Sequence, residues 1–111
     1  MKRSTKQYLF DIFESIERLE GLMQAKTELD LKTQLMLLWA VERGLGIIGE
    51  AASQIRKREP GIMISNLGEI VRFRNFIIHA YFEMESKTIF TILHDDLPLL
   101  KTEVKALLDA G

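Results

Sequence analysis

The stretch Val71-Arg72-Phe73-Arg74-Asn75-Phe76-Ile77-Ile78-His79-Ala80-Tyr81-Phe82-Glu83 is where the fold of this chain is most legible. Turned at ~100° per residue, its side chains sort onto two faces. Ile70, Ile77, Tyr81 and Met84 fall on one apolar face, with Leu67, Phe73 and Ile78 at its flanks. Arg72, Asn75, His79 and Glu83 gather on the opposite, polar face. That division belongs to an amphipathic helix and not to a strand. Arg74 breaks it, projecting from the middle of the apolar face almost in line with Tyr81, two turns on. A guanidinium is almost never buried unpaired, so Arg74 is expected to have a specific partner, a solvated cleft or a ligand.

Working outward, Pro60 and Pro98 punctuate the chain. Two long helices are expected before Pro60. The first follows a Ser4 or Thr5 cap and carries Leu9, Ile12, Phe13, Ile16, Leu19 and Met23 at three-and-four spacing. The second opens near Asp30, carries Leu38, Val41, Leu45, Ile48, Ala52 and Ile55 on one stripe, and ends in basic residues ahead of Pro60-Gly61. The helix bearing Arg74 is expected from about 65 or 66 to about 82. Ser86 is a candidate cap for a shorter helix over 87–94, and Asp95 or Asp96 for a last one with Pro98 in its first turn. No stretch alternates long enough to be a strand. The expected fold is all-α, an up-and-down bundle of four or five helices forming one domain over 1–111.

Composition narrows the function classes. Fifteen basic and sixteen acidic residues give a formal charge of −1, whereas a protein that grips long nucleic acid through phosphates carries a basic excess. Any handling of RNA must therefore rest on a local site. With no cysteine, a disulfide framework and thiolate metal sites are excluded. The longest apolar run, 35–41, is far short of the ~20 residues that span a bilayer. Met1-Lys2-Arg3-Ser4-Thr5-Lys6 leads into acidic residues instead of an apolar leader. A soluble, cytoplasmic protein without a membrane partner is expected.

Gly44-Leu45-Gly46-Ile47-Ile48-Gly49 spells the G-x-G-x-x-G of dinucleotide-binding turns, but that motif needs a strand before it and a helix opening at it. Here Leu37-Leu38-Trp39-Ala40-Val41-Glu42-Arg43 precedes it in helical register. Each interior glycine costs a helix ~1 kcal/mol relative to alanine. Three in six residues therefore point to close approach of a neighbouring helix, or to a bend. His79 has Glu83 one turn on but no second histidine nearby, so no metal and no cofactor is expected there. His94 reads as an ordinary residue near a helix end.

Arg74, four residues, His79, then Ala80 and Tyr81 resembles the Arg-x4-His-x-Tyr signature of the HepT-like proteins of the HEPN superfamily, and Asn75 matches the polar residue common after the arginine. Ile48-Gly49-Glu50-Ala51-Ala52 resembles the family's Ile-Gly-Glu-Ala element. Tyr8-Leu9-Phe10-Asp11-Ile12 and Asp95-Asp96-Leu97-Pro98-Leu99-Leu100 resemble its first and last helices. The chain departs from the family at Ile62-Met63-Ile64-Ser65, where tryptophan is common, and in its clustered Gly44 and Gly46.

The resemblance implies a metal-independent endoribonuclease toxin, paired with a minimal nucleotidyltransferase antitoxin and using the 2′-hydroxyl of the RNA as nucleophile. Arg74 and His79 are the catalytic candidates, Asn75 and Tyr81 the supporting ones. The chemistry suits these residue types. An imidazole titrating near neutrality can take or deliver the proton, and a guanidinium fork can hold phosphate. On an ideal helix Arg74 and His79 diverge by ~140°, so the helix bends, the arginine wraps around, or two chains combine. The resemblance implies the last, a homodimer with motif helices facing across a cleft. It also implies that the partner silences the toxin by attaching AMP to Tyr81. The alternative functions are a catalytically silent HEPN module that presents nucleotide or substrate to a nucleotidyltransferase, and a purely structural helical dimer.

Overall fold

The computed structural model describes residues 3–79 and 86–111, with 75–79 described as backbone only. The described residues are all-α and contain no strand. The elements are α1 (Thr5–Met23), α2 (Glu28–Thr33), α3 (Leu35–Arg58), α4 (Leu67–His79), α5 (Ser86–Thr91), a π-helical turn (Ile92–Asp96) and α6 (Leu97–Ala110).

Local chemistry sets the ends of the early helices. Ser4 caps α1 reciprocally: the Gln7 amide donates to its Oγ at 3.1 Å while its own amide donates to Gln7 Oε1 at 2.7 Å. Thr27 and Asp30 repeat that exchange at the start of α2. The Asp30 carboxyl is held below its ordinary value, first by the hydrogen bond from the Thr27 backbone. Ala25, with φ of 60°, makes the left-handed turn between them.

The single helix expected from about Asp30 is two. Gln34 adopts extended dihedrals (φ −110°, ψ 94°) and separates α2 from α3. The reason is packing: Leu31 of α2 is fully buried, while Leu35 and Met36 just after the break are exposed. In a continuous helix Leu35 would lie ~40° from Leu31 on the buried face; the break turns it outward. A second expectation also fails. Asp96 is no N-cap; it is helical (φ −90°, ψ −39°), makes no side-chain capping bond, and the π-helical turn runs straight into α6. Pro98 does sit in the first turn of α6, where its missing N–H costs little.

The core lies between α1, α3, α4 and the C-terminal helical run. Ile12, Ile16 and Leu19 from α1 meet Val41, Ile48 and Ile55 from α3, with Ile70, Ile89, Leu100 and Val104 closing it. The α3 stripe read from the sequence is therefore the buried one. The entry to α4 is tied to α6, where Glu103 accepts from the Ser65 amide at 3.0 Å and its hydroxyl at 2.6 Å. Asn66, buried, donates to the Asp96 carbonyl at 3.2 Å.

Candidate active site

Packing of α4 along α3 brings two separate stretches of sequence together. Gly49 is buried against α4 at Arg74. A Cβ built at position 49 would collide with the Cβ of Arg74 and lie 3.1 Å from its Cα. The third glycine of the apparent dinucleotide motif therefore lets α4 approach. It sits mid-helix, with no strand before it, so the nucleotide reading is excluded on structural grounds. Gly44 does similar work against the Leu19 side chain, whereas Gly46 faces open space.

One residue further along α3, Glu50 supplies the partner that Arg74 was expected to have. Arg74 Nε donates to Glu50 Oε2 at 2.6 Å, a short charge-assisted contact. The Gln54 side chain donates to the other oxygen, Oε1, at 3.3 Å. Arg74 remains about one-third exposed, so the pair sits at the surface of the bundle and not in its core. Sequence reasoning placed Glu50 in a family-like element without giving it a role. The signal was the i, i+1 adjacency of a helix-interior glycine and a carboxylate, opposite an arginine on an apolar face.

The structure places Arg74 as described and carries α4 as a regular α-helix through His79. The side chains of Asn75 and His79, and all of Tyr81, lie outside the described residues. Arg72 projects into solvent with a long contact of 3.8 Å to Glu69, in keeping with the polar face assigned to it. His94 stacks on Phe90 with ring centroids 3.9 Å apart, and its Nδ1 lies 3.1 Å from the Phe90 carbonyl. It is an exposed residue of the π-helical turn, in keeping with the ordinary reading given to it.

Beside α4 a cleft of about 410 Å³ is lined by Glu69, Arg72, Phe73, Thr88 and Asp96. Partial burial, then the charges of Glu69 and Asp95, raise the Asp96 carboxyl above its ordinary value. Among the described residues no cluster of three or more His, Asp or Glu is placed to hold a metal ion. None of the described helices is long and apolar enough to cross a membrane.

Comparison with known proteins agrees with the residue pattern. The family model described as "Ribonuclease HepT-like" matches residues 12–107. A protein of Thermococcus cleftensis named "Probable ribonuclease HepT" is 35% identical over 111 residues, covering 96% of this chain and 98% of that one. A protein of Methanocaldococcus jannaschii named "Putative RNase MJ1380" is 32% identical over 108 residues, covering 94% and 96%. No solved structure matches.

Proposed function

This chain belongs to the HepT-like ribonuclease family, and from that premise we propose that it is a metal-independent endoribonuclease acting through Arg74 and His79. The observation that carries the reading is the seating of Arg74: Gly49 admits its backbone, and Glu50 holds its guanidinium at the bundle surface. An arginine fixed in this way is pre-organised to meet phosphate without paying to order a long side chain at the moment of reaction.

In the proposed reaction the 2′-oxygen of RNA bonds to phosphorus as the bond to the 5′-oxygen breaks. One proton leaves the 2′-hydroxyl and one reaches the 5′-oxygen, leaving a 2′,3′-cyclic phosphate. The His79 imidazole serves one of these transfers. Arg74 stabilises charge on the phosphoryl oxygens. Asn75 orients one of the two, and Tyr81 shapes the cleft or donates to phosphate. In this reading a second copy of the chain completes the site, which the course of α4 as one α-helix to His79 supports over a break in the helix.

The biological setting belongs to the same proposal. Residues 1–111 act as one cytoplasmic domain, a toxin whose partner is a minimal nucleotidyltransferase that silences it by adenylylating Tyr81. The deciding experiment is cleavage of single-stranded RNA by purified protein in excess EDTA, with analysis of the product ends. Cyclic phosphate or its hydrolysis products are expected; loss of cleavage in EDTA overturns the mechanism.

A further inference from the structure

Glu69, Arg72 and Phe73 follow one another at three and four residues and so share one face of α4. On the ideal helix that face is centred ~140° from Arg74, away from α3. Thr88 of α5 and Asp96, the last residue of the π-helical turn, complete the lining of the 410 Å³ cleft in front of it. A cleft of this size falls in the ~300–1,000 Å³ range of small-molecule sites. Its wall offers a ring and a hydroxyl, with two carboxylates and a guanidinium around them.

The polar groups are held from outside the cleft. Asn66, buried, donates through Nδ2 to the Asp96 carbonyl at 3.2 Å and so fixes the backbone that carries the carboxylate. Asp96 makes no ion pair among the described residues. Partial burial, then Glu69 and Asp95, raise its carboxyl, so the lining is short of hydrogen-bond donors. Arg72 reaches Glu69 only at 3.8 Å, which leaves its fork available. The π-helical turn ends on Asp96, and such turns are uncommon structures that recur at functional sites.

A base of single-stranded RNA meets these requirements. Unpaired bases are recognised by stacking on aromatic rings and by hydrogen bonds along their Watson–Crick and Hoogsteen edges. Guanine alone among the four presents two adjacent donors, N1–H and N2–H, to a carboxylate, which when ionised only accepts. It also presents two adjacent acceptors, O6 and N7, to an arginine fork. Adenine and cytosine place an acceptor where the carboxylate needs a second donor, and uracil has a single N–H between two carbonyls.

The cleft also lies on the way to the proposed chemistry. α4 is one helix from Leu67 to His79, and on its ideal surface positions 79 and 75 fall between Arg72 at the cleft and Arg74 on the α3 side. A strand crossing this polar face passes from the cleft over positions 79 and 75 to Arg74, within ~10 Å along the axis.

We propose that this cleft is a guanine subsite for the RNA substrate, with the Asp96 carboxylate accepting from N1–H and N2–H, Arg72 donating to O6 and N7, and the base lying against Phe73. The inference rests on the ribonuclease reading and deepens it by naming a base that the chain selects near the scissile phosphate.

The test reads binding and not cleavage, so its failure is distinct from failure of the ribonuclease reading. Short 2′-O-methyl oligouridylates lack the nucleophile and stay uncut; they carry guanine, adenine, cytosine or uracil at the central position, and fluorescence anisotropy gives their affinities. The guanine oligonucleotide is expected to bind at least about tenfold tighter than the other three. Inosine lacks the N2 amino group and is expected to lose most of that gain with the native protein, but to match guanine with Asp96→Asn. 7-Deazaguanine lacks N7 and is expected to bind more weakly than guanine with the native protein, but equally with Arg72→Gln. Both side chains are at least partly exposed, so both variants are expected to keep the native helical circular dichroism. Affinities that do not distinguish the four bases overturn the proposal, as does a guanine preference that Asp96→Asn leaves intact. Binding of guanosine 5′-monophosphate without any base preference among the oligonucleotides also overturns it, and assigns the cleft to a free nucleotide.

Discussion

Arg74 is seated on Gly49 so tightly that the absence of a side chain at 49 is part of the seat, with the Arg74 Cα only 3.1 Å from where a Cβ would stand. The neighbouring atoms include backbone, which cannot swing aside. Gly49→Ala is therefore expected to destabilise the protein by ~1–3 kcal/mol, as overpacking does, despite alanine's better helix propensity. Gly21→Ala makes the contrast: Gly21 lies in α1 with open space around it, so the same change is expected to be neutral or to stabilise by up to ~1 kcal/mol. Urea denaturation of both variants checks the opposite signs.

Glu50 holds Arg74 through a short contact at a partly exposed position. Its worth to folding is small, within about 1 kcal/mol, but its worth to geometry is larger. Glu50→Ala is expected to lower RNA cleavage ~10- to 100-fold, the scale set by misplacing a catalytic group by about an ångström, with little change in stability. Glu50→Gln, which keeps an acceptor oxygen, should retain more activity than Glu50→Ala. Equal activity in all three proteins would leave Glu50 without a positioning role.

Catalysis by Arg74 and His79 predicts two different failures. His79→Ala is expected to lose the proton-transfer contribution, ~10²- to 10⁴-fold in rate. Arg74→Lys keeps the charge but loses the planar fork, so it is expected to fall at least about tenfold and not be rescued. A 2′-deoxy substitution at the scissile nucleotide should stop cleavage altogether. Undiminished cutting by folded His79→Ala would remove His79 from the mechanism.

Control through Tyr81 predicts a covalent mark. Incubation with the cognate nucleotidyltransferase, ATP and Mg²⁺ is expected to add AMP to Tyr81, located by peptide mass spectrometry, with parallel loss of cleavage. On the ideal helix Tyr81 follows Arg74 by two turns on one face, so the added phosphate would compete for the guanidinium proposed to bind substrate. A Tyr81→Phe variant that is still silenced by that enzymatic reaction would count against it.

Asp96 predicts a pH dependence. Its carboxyl is raised, first by partial burial and then by Glu69 and Asp95, so the folded chain holds that proton more tightly than the unfolded chain does. Its contribution to stability is fully present below the ordinary carboxylate value near 4 and is lost as pH rises through the raised native value. Asp96→Asn is expected to stabilise the fold slightly near pH 7, by less than about 1 kcal/mol because solvent screens the site, and so to raise the melting temperature. No gain is expected near pH 3. Thermal scans at the two pH values check the sign.

Much of the bundle was legible because helix-forming periodicity is local. Three-and-four spacing identified α1, the buried face of α3 and the start of α4, and Ser4 and Pro60 marked two boundaries. The same local logic missed the break at Gln34 and the π-helical turn before α6. Leu31 and Ile92, beside the break and in the turn, are both buried, and burial against other helices is not written in local periodicity. The apparent nucleotide motif was legible as helix for the same reason: the residues before it keep helical register.

For the site, sequence alone singled out Arg74, since a guanidinium on an apolar face violates the pattern around it. It could state that a partner was needed but not which one. Glu50 lies on another helix, and the register of α4 along α3 is set by Gly49, whose missing Cβ fixes how closely and at what height the two helices meet. Periodicity determines which way a side chain faces; only the packing of one helix on another determines what it faces.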